Sequence, residues 1–366
     1  MNEVTIGFLG LGLIGGSIAR GIRRHHCNYR LIGYNHNFST AQAALEEGIL
    51  DVAAAKVDSV FSACDVIYLC MPVSHNVEYL EKIKPFLKPS CILTDVGSVK
   101  CNIHEAVERL GLNGHFIGGH PMAGSEKTGY ANSTDHLLEN AFYPLTPCKE
   151  TKPDALHFLR ELTASLGAIP LILTAPEHDY AVAAVSHLPH MIASGLVNLI
   201  RAIDSEDQLM KTIAAGGFKD ITRIASASPV MWQQICLTNR ANIVKAMEQY
   251  LDYFSKIKEA VETGDSDFLY RFFEGGKKYR DSIATAPSGP MAEVYCLYCD
   301  LIDEPGSIAK AAAILADAGI SIKNIGITHT REFQEDVLRI EFYTRKAAEL
   351  AGKVLQDSHY YITQPE

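Results

Sequence analysis

The sequence predicts an α/β Rossmann-type nucleotide-binding domain, then an all-α helical domain, then a small βαββαβ ferredoxin-like domain. Three observations predict this order. Short apolar runs alternate with helical patterns at the start, helical periodicity fills the middle, and strand-like runs return after a turn-rich linker. The predicted boundaries are 1–174 for the first domain, 175–285 for the second, 286–291 for the linker and 292–366 for the third.

The composition is that of an ordinary soluble globular protein. The 366 residues suggest two or three domains, and 47% of them are hydrophobic while 21% are charged. The net charge of −10 makes the chain a poor nucleic-acid partner. It also means that an anionic substrate must be attracted by local cationic residues, because the overall field opposes it.

The cysteines and the apolar runs bear on location. The nine cysteines are scattered without a CxxC pair, which fits a reducing compartment. The chain opens directly into a strand-like run, and no apolar run reaches the ~18 residues that a membrane span needs. We therefore expect a cytoplasmic protein that does not interact with membranes.

The first region predicts a parallel sheet that is covered by helices on both faces. Helical stretches such as 41–47 and 100–110 lie between the apolar runs. The predicted strands lie at 4–9, 31–34, 66–71, 91–96, 115–118, 145–147 and 170–173.

The middle and last regions differ in period. Apolar residues from Leu188 to Ile203 follow i, i+3, i+4, i+7 spacing, which predicts an amphipathic helix in a buried bundle or against a second subunit. After the linker, 294–302, 320–327, 337–342 and 360–363 are predicted strands, while 307–318 and 346–356 are predicted helices. Their order is that of a ferredoxin-like fold.

A glycine-rich turn after the first strand predicts a dinucleotide site. Gly10 permits the tight turn, Gly12 lets the backbone approach a pyrophosphate, and Gly15 lets helix and strand pack closely. The helix begins at Leu13 and Ile14, and the free N–H groups of its first turn can bind the phosphates. The alternative is a glycine-rich turn without a ligand.

Asn35 departs from the usual fingerprint, which has an acid about 20 residues after the turn. An asparagine can bond a ribose hydroxyl, but it does not repel a 2′-phosphate as a carboxylate does. No arginine follows that could hold such a phosphate. NAD is the predicted cofactor, with NADP as the open alternative.

Three polar segments are candidates for the chemistry: DVGSVK at 95–100, GGHPMAGSE at 118–126 and SHLPH at 186–190. The first two follow predicted strands, where open α/β sheets bind ligands. Pro189 removes a helix hydrogen bond and is expected to bend the helix at the histidines. The candidate side chains are Ser98, His120, Ser125, Ser186, His187 and His190.

Other readings of these residues stay open. His187 and His190 share a helix face and, with His120, form a possible zinc set, although no Cys or acid stands at ligand spacing nearby. His187 is equally well explained as a core histidine. Ser98 could also cap the helix that follows it.

A further segment at 216–223, GGFKDITR, contains Arg223. The planar fork of an arginine matches a carboxylate, so Arg223 is a candidate substrate clamp, and the alternative is a surface salt bridge. Trp232, the single tryptophan, is expected to be a packing residue.

Together these segments, in this order, resemble the prephenate/arogenate dehydrogenase family over residues 4–285. The resemblance implies oxidative decarboxylation of prephenate to 4-hydroxyphenylpyruvate, with hydride passing to a nicotinamide. His120 then corresponds to the family's base, which takes the proton of the substrate hydroxyl. Ser98 corresponds to the serine that hydrogen-bonds both that histidine and that hydroxyl. His190 and Arg223 correspond to substrate-binding residues, while Ser125, Ser186 and His187 line the pocket.

The C-terminal region resembles an ACT domain. The resemblance rests on two segments, DEPGSI at 303–308 and GISIKNI at 319–325. The resemblance implies tyrosine as an effector at Pro305, Gly306, Asn324 and Ile325. It also implies a homodimer formed through the helical domain. The alternative functions are an arogenate dehydrogenase, a β-hydroxyacid-type dehydrogenase and a non-catalytic amino-acid sensor.

Overall fold

The computed structural model describes residues 4–124, 127–285, 295–300, 304, 306–328 and 337–363. The chain forms two compact units, Met1–Leu269 and Tyr270–Glu366. The first unit contains the predicted nucleotide-binding region and most of the predicted helical region. The predicted linker at 286–291, Ser125 and Pro305 lie outside the described residues.

Five parallel strands form the first sheet, in the order β3-β2-β1-β4-β5. Their bounds are β1 Thr5–Leu9, β2 Arg30–Tyr34, β3 Val52–Ala54, β4 Val66–Leu69 and β5 Ile92–Asp95. The chain leaves β1 toward one side of the sheet and returns to β4 on the other. A crevice therefore opens at the carboxyl ends of β1 and β4, where such sheets bind dinucleotides.

Apolar clusters on both faces explain why these strands read as continuous hydrophobic runs. Ile6 and Phe8 pack with Ile18 on one face, and Leu9 packs with Ile67 on the other. The covering helices are α1 Leu13–His25, α2 Phe38–Glu46, α3 Val73–Ile83 and α4 Cys101–Arg109. The predicted parallel sheet with two covered faces is confirmed, with β3 as an additional strand.

The later strands form a separate mixed sheet, which corrects the prediction of one continuous parallel sheet. Strand β6 runs antiparallel to β7, and β7 runs parallel to β8. The elements are β6 Ile117–Gly119, β7 Phe142–Pro147, α5 Pro153–Ser165 and β8 Ile169–Ile172. In the described part of the connection between β6 and β7, the helical element is the short 3-10 turn Tyr130–Asn132, and β7 returns in the opposite direction. That connection begins with His120.

The middle region is helical, as predicted. A capping box between Thr174 and Glu177 begins α6. The elements are α6 Ala175–Val182, a π-helical turn Ala183–His187, α7 Leu188–Ile203, α8 Leu209–Ile213, α9 Gly216–Thr222, α10 Pro229–Thr238, α11 Arg240–Thr263 and α12 Ser266–Thr285. The π-helical turn ends at His187, two residues before Pro189, in the region where the sequence predicts a distortion, and such turns often accompany functional sites.

Helices α6 and α7 join through that turn into one continuous helix, Ala175–Ile203. Its length and composition would allow it to cross a membrane, since an 18-residue window has a mean hydropathy of 1.3. This corrects the expectation that no segment reaches that length. Only 17% of the window is buried in the single chain.

The second unit contains a βαββαβ arrangement in the predicted order. Its elements after α12 are β9 Tyr295–Asp300, α13 Ser307–Asp317, β10 Ile322–Thr328, β11 Val337–Phe342, α14 Arg345–Asp357 and β12 Ile362–Thr363. The strands form one antiparallel sheet in the order β10-β11-β9-β12. Leu297, Leu315 and Ile340 are part of the core between this sheet and its helices.

Candidate active site

The glycine turn after β1 has the geometry that a phosphate site requires. Gly10 has a φ of +104°, and a Cβ there would lie 2.7 Å from the Met71 sulfur. A Cβ on Gly15 would lie 2.4 Å from the Gly10 carbonyl oxygen, so both positions exclude a side chain.

Gly12 differs, because a Cβ there would meet nothing within 4 Å. It is the N-cap of α1 and has no side-chain cap, and the first turn of α1 contains no acid. The first N–H groups of α1 therefore have no side-chain cap, and the helix dipole favours an anion at this end of the helix. This cradle fits the pyrophosphate of a dinucleotide.

Asn35 braces that turn. Its side-chain oxygen accepts a hydrogen bond of 2.9 Å from the Leu11 amide, and its Nδ2 donates to the Asn37 carbonyl at 3.2 Å. A sequence reading assigns Asn35 to the ribose alone. The fold adds a second task, holding the loop after β2 against the glycine turn.

The segments that contain Ser98 and His120 lie side by side at the end of β5. The Asp95 carboxylate accepts hydrogen bonds from the Gly97 amide at 2.9 Å and from the Gly119 amide at 3.1 Å. The Lys100 ammonium donates to Asp95 and, at 2.7 Å, to the Gly119 carbonyl. Both charged side chains are buried, with exposed fractions of 0% and 1%.

A second histidine, His178, contacts the predicted base. His120 Nδ1 lies 2.8 Å from His178 Nε2, and His178 Nδ1 lies 2.8 Å from Asp179 Oδ1. The Asp179 carboxylate also accepts from the Lys100 and Cys101 amides, at 2.7 and 2.8 Å. Asp179 on α6 therefore caps α4, and Ser98 does not take the capping role that the sequence allows.

This chain of hydrogen bonds determines the tautomer of His120. An ionised Asp179 only accepts, so His178 donates its Nδ1–H to it. The other ring nitrogen of His178, Nε2, is then the acceptor for the Nδ1–H of His120. The Nε2 of His120 then keeps a free lone pair, which is what a general base needs.

The electrostatics agree with that assignment. Burial, together with His178, Lys100 and His187 nearby, holds the pKa of His120 well below its usual value. Burial opposes ionisation of Asp179. However, hydrogen bonds from His178 and from the Cys101 and Lys100 amides outweigh it and lower the pKa of that carboxyl. His120 is thus neutral and Asp179 ionised near pH 7.

His190 stacks on Trp232, with ring centroids 3.7 Å apart and planes inclined by 26°. His190 Nδ1 donates to the Ser186 carbonyl of the π-helical turn at 3.0 Å. Burial, and the charge of Arg223 nearby, lower the pKa of His190. The structure therefore brings Ser186, His190 and Arg223 together, and Trp232 packs against His190, in line with the packing role that the sequence predicts for it.

His187 is buried behind this group, with 1% of its surface exposed. Its Nδ1 accepts from Asn239 Nδ2 at 3.2 Å, and the same amide donates to the Asp179 carbonyl at 2.8 Å. Burial lowers the pKa of His187 to about 4, even though Asp179 opposes this. These bonds support the reading of a core histidine, and its direct contact with substrate stays a prediction.

Sequence reasoning missed five polar residues here: Asp95, Lys100, His178, Asp179 and Asn239. His178 and Asp179 follow the capping box on α6, and no sequence motif distinguishes them there. Only the contact of His178 with His120 in the folded chain reveals their role. Among the described residues, no group of three or more His, Cys, Asp or Glu side chains could hold a metal ion.

Residues 18–171 match the family model for the prephenate dehydrogenase nucleotide-binding domain, and residues 174–275 match the one for the prephenate dehydrogenase dimerization domain. The chain belongs to the prephenate dehydrogenase family. This membership confirms the resemblance to the prephenate/arogenate dehydrogenase family. It argues against the alternative of a β-hydroxyacid-type dehydrogenase.

Relatives within the prephenate dehydrogenase family match this chain both in sequence and in structure. The prephenate dehydrogenase of Bacillus subtilis is 39% identical over 95% of this chain and 96% of its own. The Aquifex aeolicus prephenate dehydrogenase, solved with hydroxyphenyl propionate and NAD+, has a TM-score of 0.73 and is 32% identical. It covers 77% of this chain and 99% of its own. Synechocystis arogenate dehydrogenase has a TM-score of 0.70 and is 33% identical, over 76% and 100%.

Proposed function

We propose that this chain is an NAD-dependent prephenate dehydrogenase, which converts prephenate to 4-hydroxyphenylpyruvate and carbon dioxide. The observation that carries the proposal is the hydrogen-bonded series His120–His178–Asp179, which leaves a buried, neutral base at the end of the nucleotide-binding sheet. Family membership supports the substrate class. Arogenate remains the alternative substrate, since it differs only in a side-chain amine.

The cofactor cradle comprises Gly10, Gly12, Leu13, Ile14, Gly15 and Asn35. When bound, NAD supplies the acceptor for the hydride that leaves the substrate's hydroxyl-bearing carbon. The role of the chain is to place that carbon beside the cradle and the hydroxyl beside His120. Because aromatisation of the ring drives the reaction, positioning is the main contribution of the protein.

The proton follows a short path. As the hydride leaves, the hydroxyl proton passes to the free Nε2 of His120, while Ser98 bonds both groups. The ring carboxylate then leaves as carbon dioxide, and its bonding electrons complete the aromatic ring. His120 returns the proton to the phenolate oxygen. The base therefore emerges neutral and ready for another turnover.

Arg223 and His190 provide the substrate's anion site. The guanidinium supplies a permanent charge, while neutral His190 has its Nδ1–H engaged and presents only a lone pair at Nε2. A bound carboxylate favours protonation of that nitrogen, so His190 is expected to take up a proton when substrate binds. Ser125 and Ser186 are proposed to line the same pocket.

The test of the function is a steady-state assay of prephenate and arogenate, each with NAD and NADP. Reduced nicotinamide formed fastest from prephenate and NAD supports the proposal. Turnover of arogenate alone favours the alternative substrate. A folded chain that binds cofactor and turns over neither substrate contradicts the proposal and favours the sensor reading.

Replacement of Arg223 by Ala is expected to raise the KM for prephenate about 10- to 100-fold, since a charged hydrogen bond contributes ~1.5–3 kcal/mol. The kcat at saturating substrate should change much less. Arg160→Ala is the control, because Arg160 is exposed and pairs with its neighbour Glu161. An unchanged KM in the Arg223 variant counts against the clamp.

Replacement of Asn35 by Asp is expected to weaken NADP binding at least about 10-fold while NAD binding is kept. A carboxylate repels the 2′-phosphate, yet it can still accept the bond from the Leu11 amide. Equilibrium titration gives both Kd values. Asn37→Asp adds the same charge two residues along, where an acid also caps α2, and should change the ratio less. Equal loss in both variants argues against a specific role for Asn35.

We propose a homodimer built on the helical region. Large apolar side chains are exposed there in the single chain, among them Val185, Leu199, Ile203, Ile213 and Leu237. Soluble monomers rarely expose so large an apolar surface, and the matching family model describes a dimerization domain. Sedimentation should give twice the chain mass. A monomer that partitions into lipid vesicles contradicts this assignment.

We further propose that the βαββαβ unit is an ACT domain that binds tyrosine. Gly306 is the N-cap of α13 and has a φ of +94°, while Asn324 is exposed beside a register shift in β10, next to Ile325. Titration of tyrosine into chain saturated with 4-hydroxyphenylpyruvate and NAD tests this. Retained binding supports a separate site, and lost binding places tyrosine in the active site.

A cytoplasmic location is the proposed setting. All nine cysteines are free thiols, and three of them are buried, Cys64, Cys91 and Cys299. Unpaired thiols of this number suit a reducing compartment.

A further inference from the structure

The buried Asp95–Lys100 pair belongs to the Ser98 segment, residues 95–100, and contacts the His120 segment through Gly119. Each charged group contacts both segments: the carboxylate accepts from the amides before Ser98 and before His120, and the ammonium donates to the carbonyl before His120. Lys100 also donates its backbone amide to Asp179, which holds His178. The pair therefore connects the Ser98 segment, the His120 segment and the hydrogen-bonded relay formed by His120, His178 and Asp179.

The backbone before His120 is tightly packed at Gly118 and Gly119. A Cβ on Gly119 would lie 2.7 Å from the Asp95 carbonyl oxygen and 2.9 Å from the Tyr143 ring. A Cβ on Gly118 would lie 2.3 Å from the Thr146 hydroxyl and 3.1 Å from the Lys100 stem. The two glycines before His120 thus have no room for a side chain: Gly119 lies against the Asp95 backbone and Tyr143, and Gly118 lies against Thr146 and the Lys100 stem.

We propose that Asp95 and Lys100 are positioning residues that set His120 relative to Ser98 and to the relay. A buried ion pair is a weak source of stability, because desolvation offsets most of its attraction. Its value here is geometric: three backbone groups of the catalytic segments are bonded by two rigid, buried partners. This inference rests on the proposed dehydrogenase activity.

Lys100→Met is expected to lower kcat about 10²-fold, the effect of a misplacement near 1 Å, with the Kd for NAD unchanged. The KM for prephenate should change by less than about 3-fold, because Arg223 and His190 are untouched. The acid limb of kcat/KM should move to higher pH. The titratable groups around His120 are Lys100, His178 and His187, together with Asp179, which is bonded to His178, and Asp95, which is bonded to Lys100. Removal of Lys100 takes away a positive charge and leaves Asp95 without its partner.

The matched control is Lys88→Met. Lys88 likewise donates to an aspartate, Asp65, and to a carbonyl, while Asp65 accepts the Thr5 amide. That part-exposed pair lies at the amino ends of β1 and β4, the end of the sheet opposite to His120, so its loss should leave kcat and the pH profile unchanged. Equal effects of both variants mean a general loss of stability and overturn the proposal.

Asp95→Asn with Lys100→Met removes both charges and leaves no unpaired ion, so the double variant is expected to fold even where the single variant does not. Its kcat should stay low, since the Gly119 carbonyl has lost its donor. Recovery of wild-type kcat together with stability overturns the positioning role. Absence of turnover in the wild type is a separate result, which contradicts the proposed function instead.

Discussion

Replacement of His120 by Asn is expected to lower kcat about 10²- to 10⁴-fold while the Kd for NAD stays the same. The loss is the full contribution of a general base, because no other described side chain offers a lone pair in this position with its tautomer held by a relay. Steady-state rates with saturating prephenate and NAD, and cofactor titration, measure the two quantities. A variant that keeps normal turnover contradicts the assignment of the base.

His104→Asn is the matched control for this result. His104 is a half-buried histidine on α4 that lies 2.9 Å from the Thr146 hydroxyl and outside the relay. Its loss should change stability without a comparable change in kcat. The pH profile of the wild type gives a further check. Because the pKa of His120 is held well below its usual value, kcat at saturating prephenate should show no loss from protonation of this base as the pH falls through 6.5.

Replacement of Asp179 by Asn is expected to lower kcat about 10²- to 10³-fold, although Asp179 does not contact the proposed substrate site. One Asp179 oxygen accepts from His178 and from Lys100, and the other accepts from Cys101. An amide must place its NH2 group against one of these donors. Facing His178, it reverses the relay and leaves the lone pair of His120 pointing at His178. Facing Cys101, it removes a cap from α4.

Glu177→Gln is the control, since it removes a charge from the same turn of α6 without touching the relay. The Asp179 variant should keep its cofactor affinity, and its melting temperature should fall by an amount typical of a lost helix cap. A kcat within about 3-fold of the wild type would sink the tautomer argument. A kcat that falls equally in both variants would show that the helix, and not the relay, matters.

The sequence by itself determined the order of the elements and most of the candidate site. Periodicity distinguishes strands from helices because the two have different repeats, and the glycines at 10, 12 and 15 carry their geometry in their residue type. His120, Ser98, His190 and Arg223 stand in motifs whose residues are close together along the chain. Local patterns of this kind are visible without a fold.

The tertiary structure alone decided what makes His120 a base. His178 and Asp179 lie 58 residues or more from it along the chain, and Lys100 meets Asp95 only because a turn folds back at the end of β5. The direction of β6 and the burial of His187 are likewise set by neighbours distant in sequence. Tautomers and pKa values depend on burial and on partners across space, and no one-dimensional spacing encodes those distances.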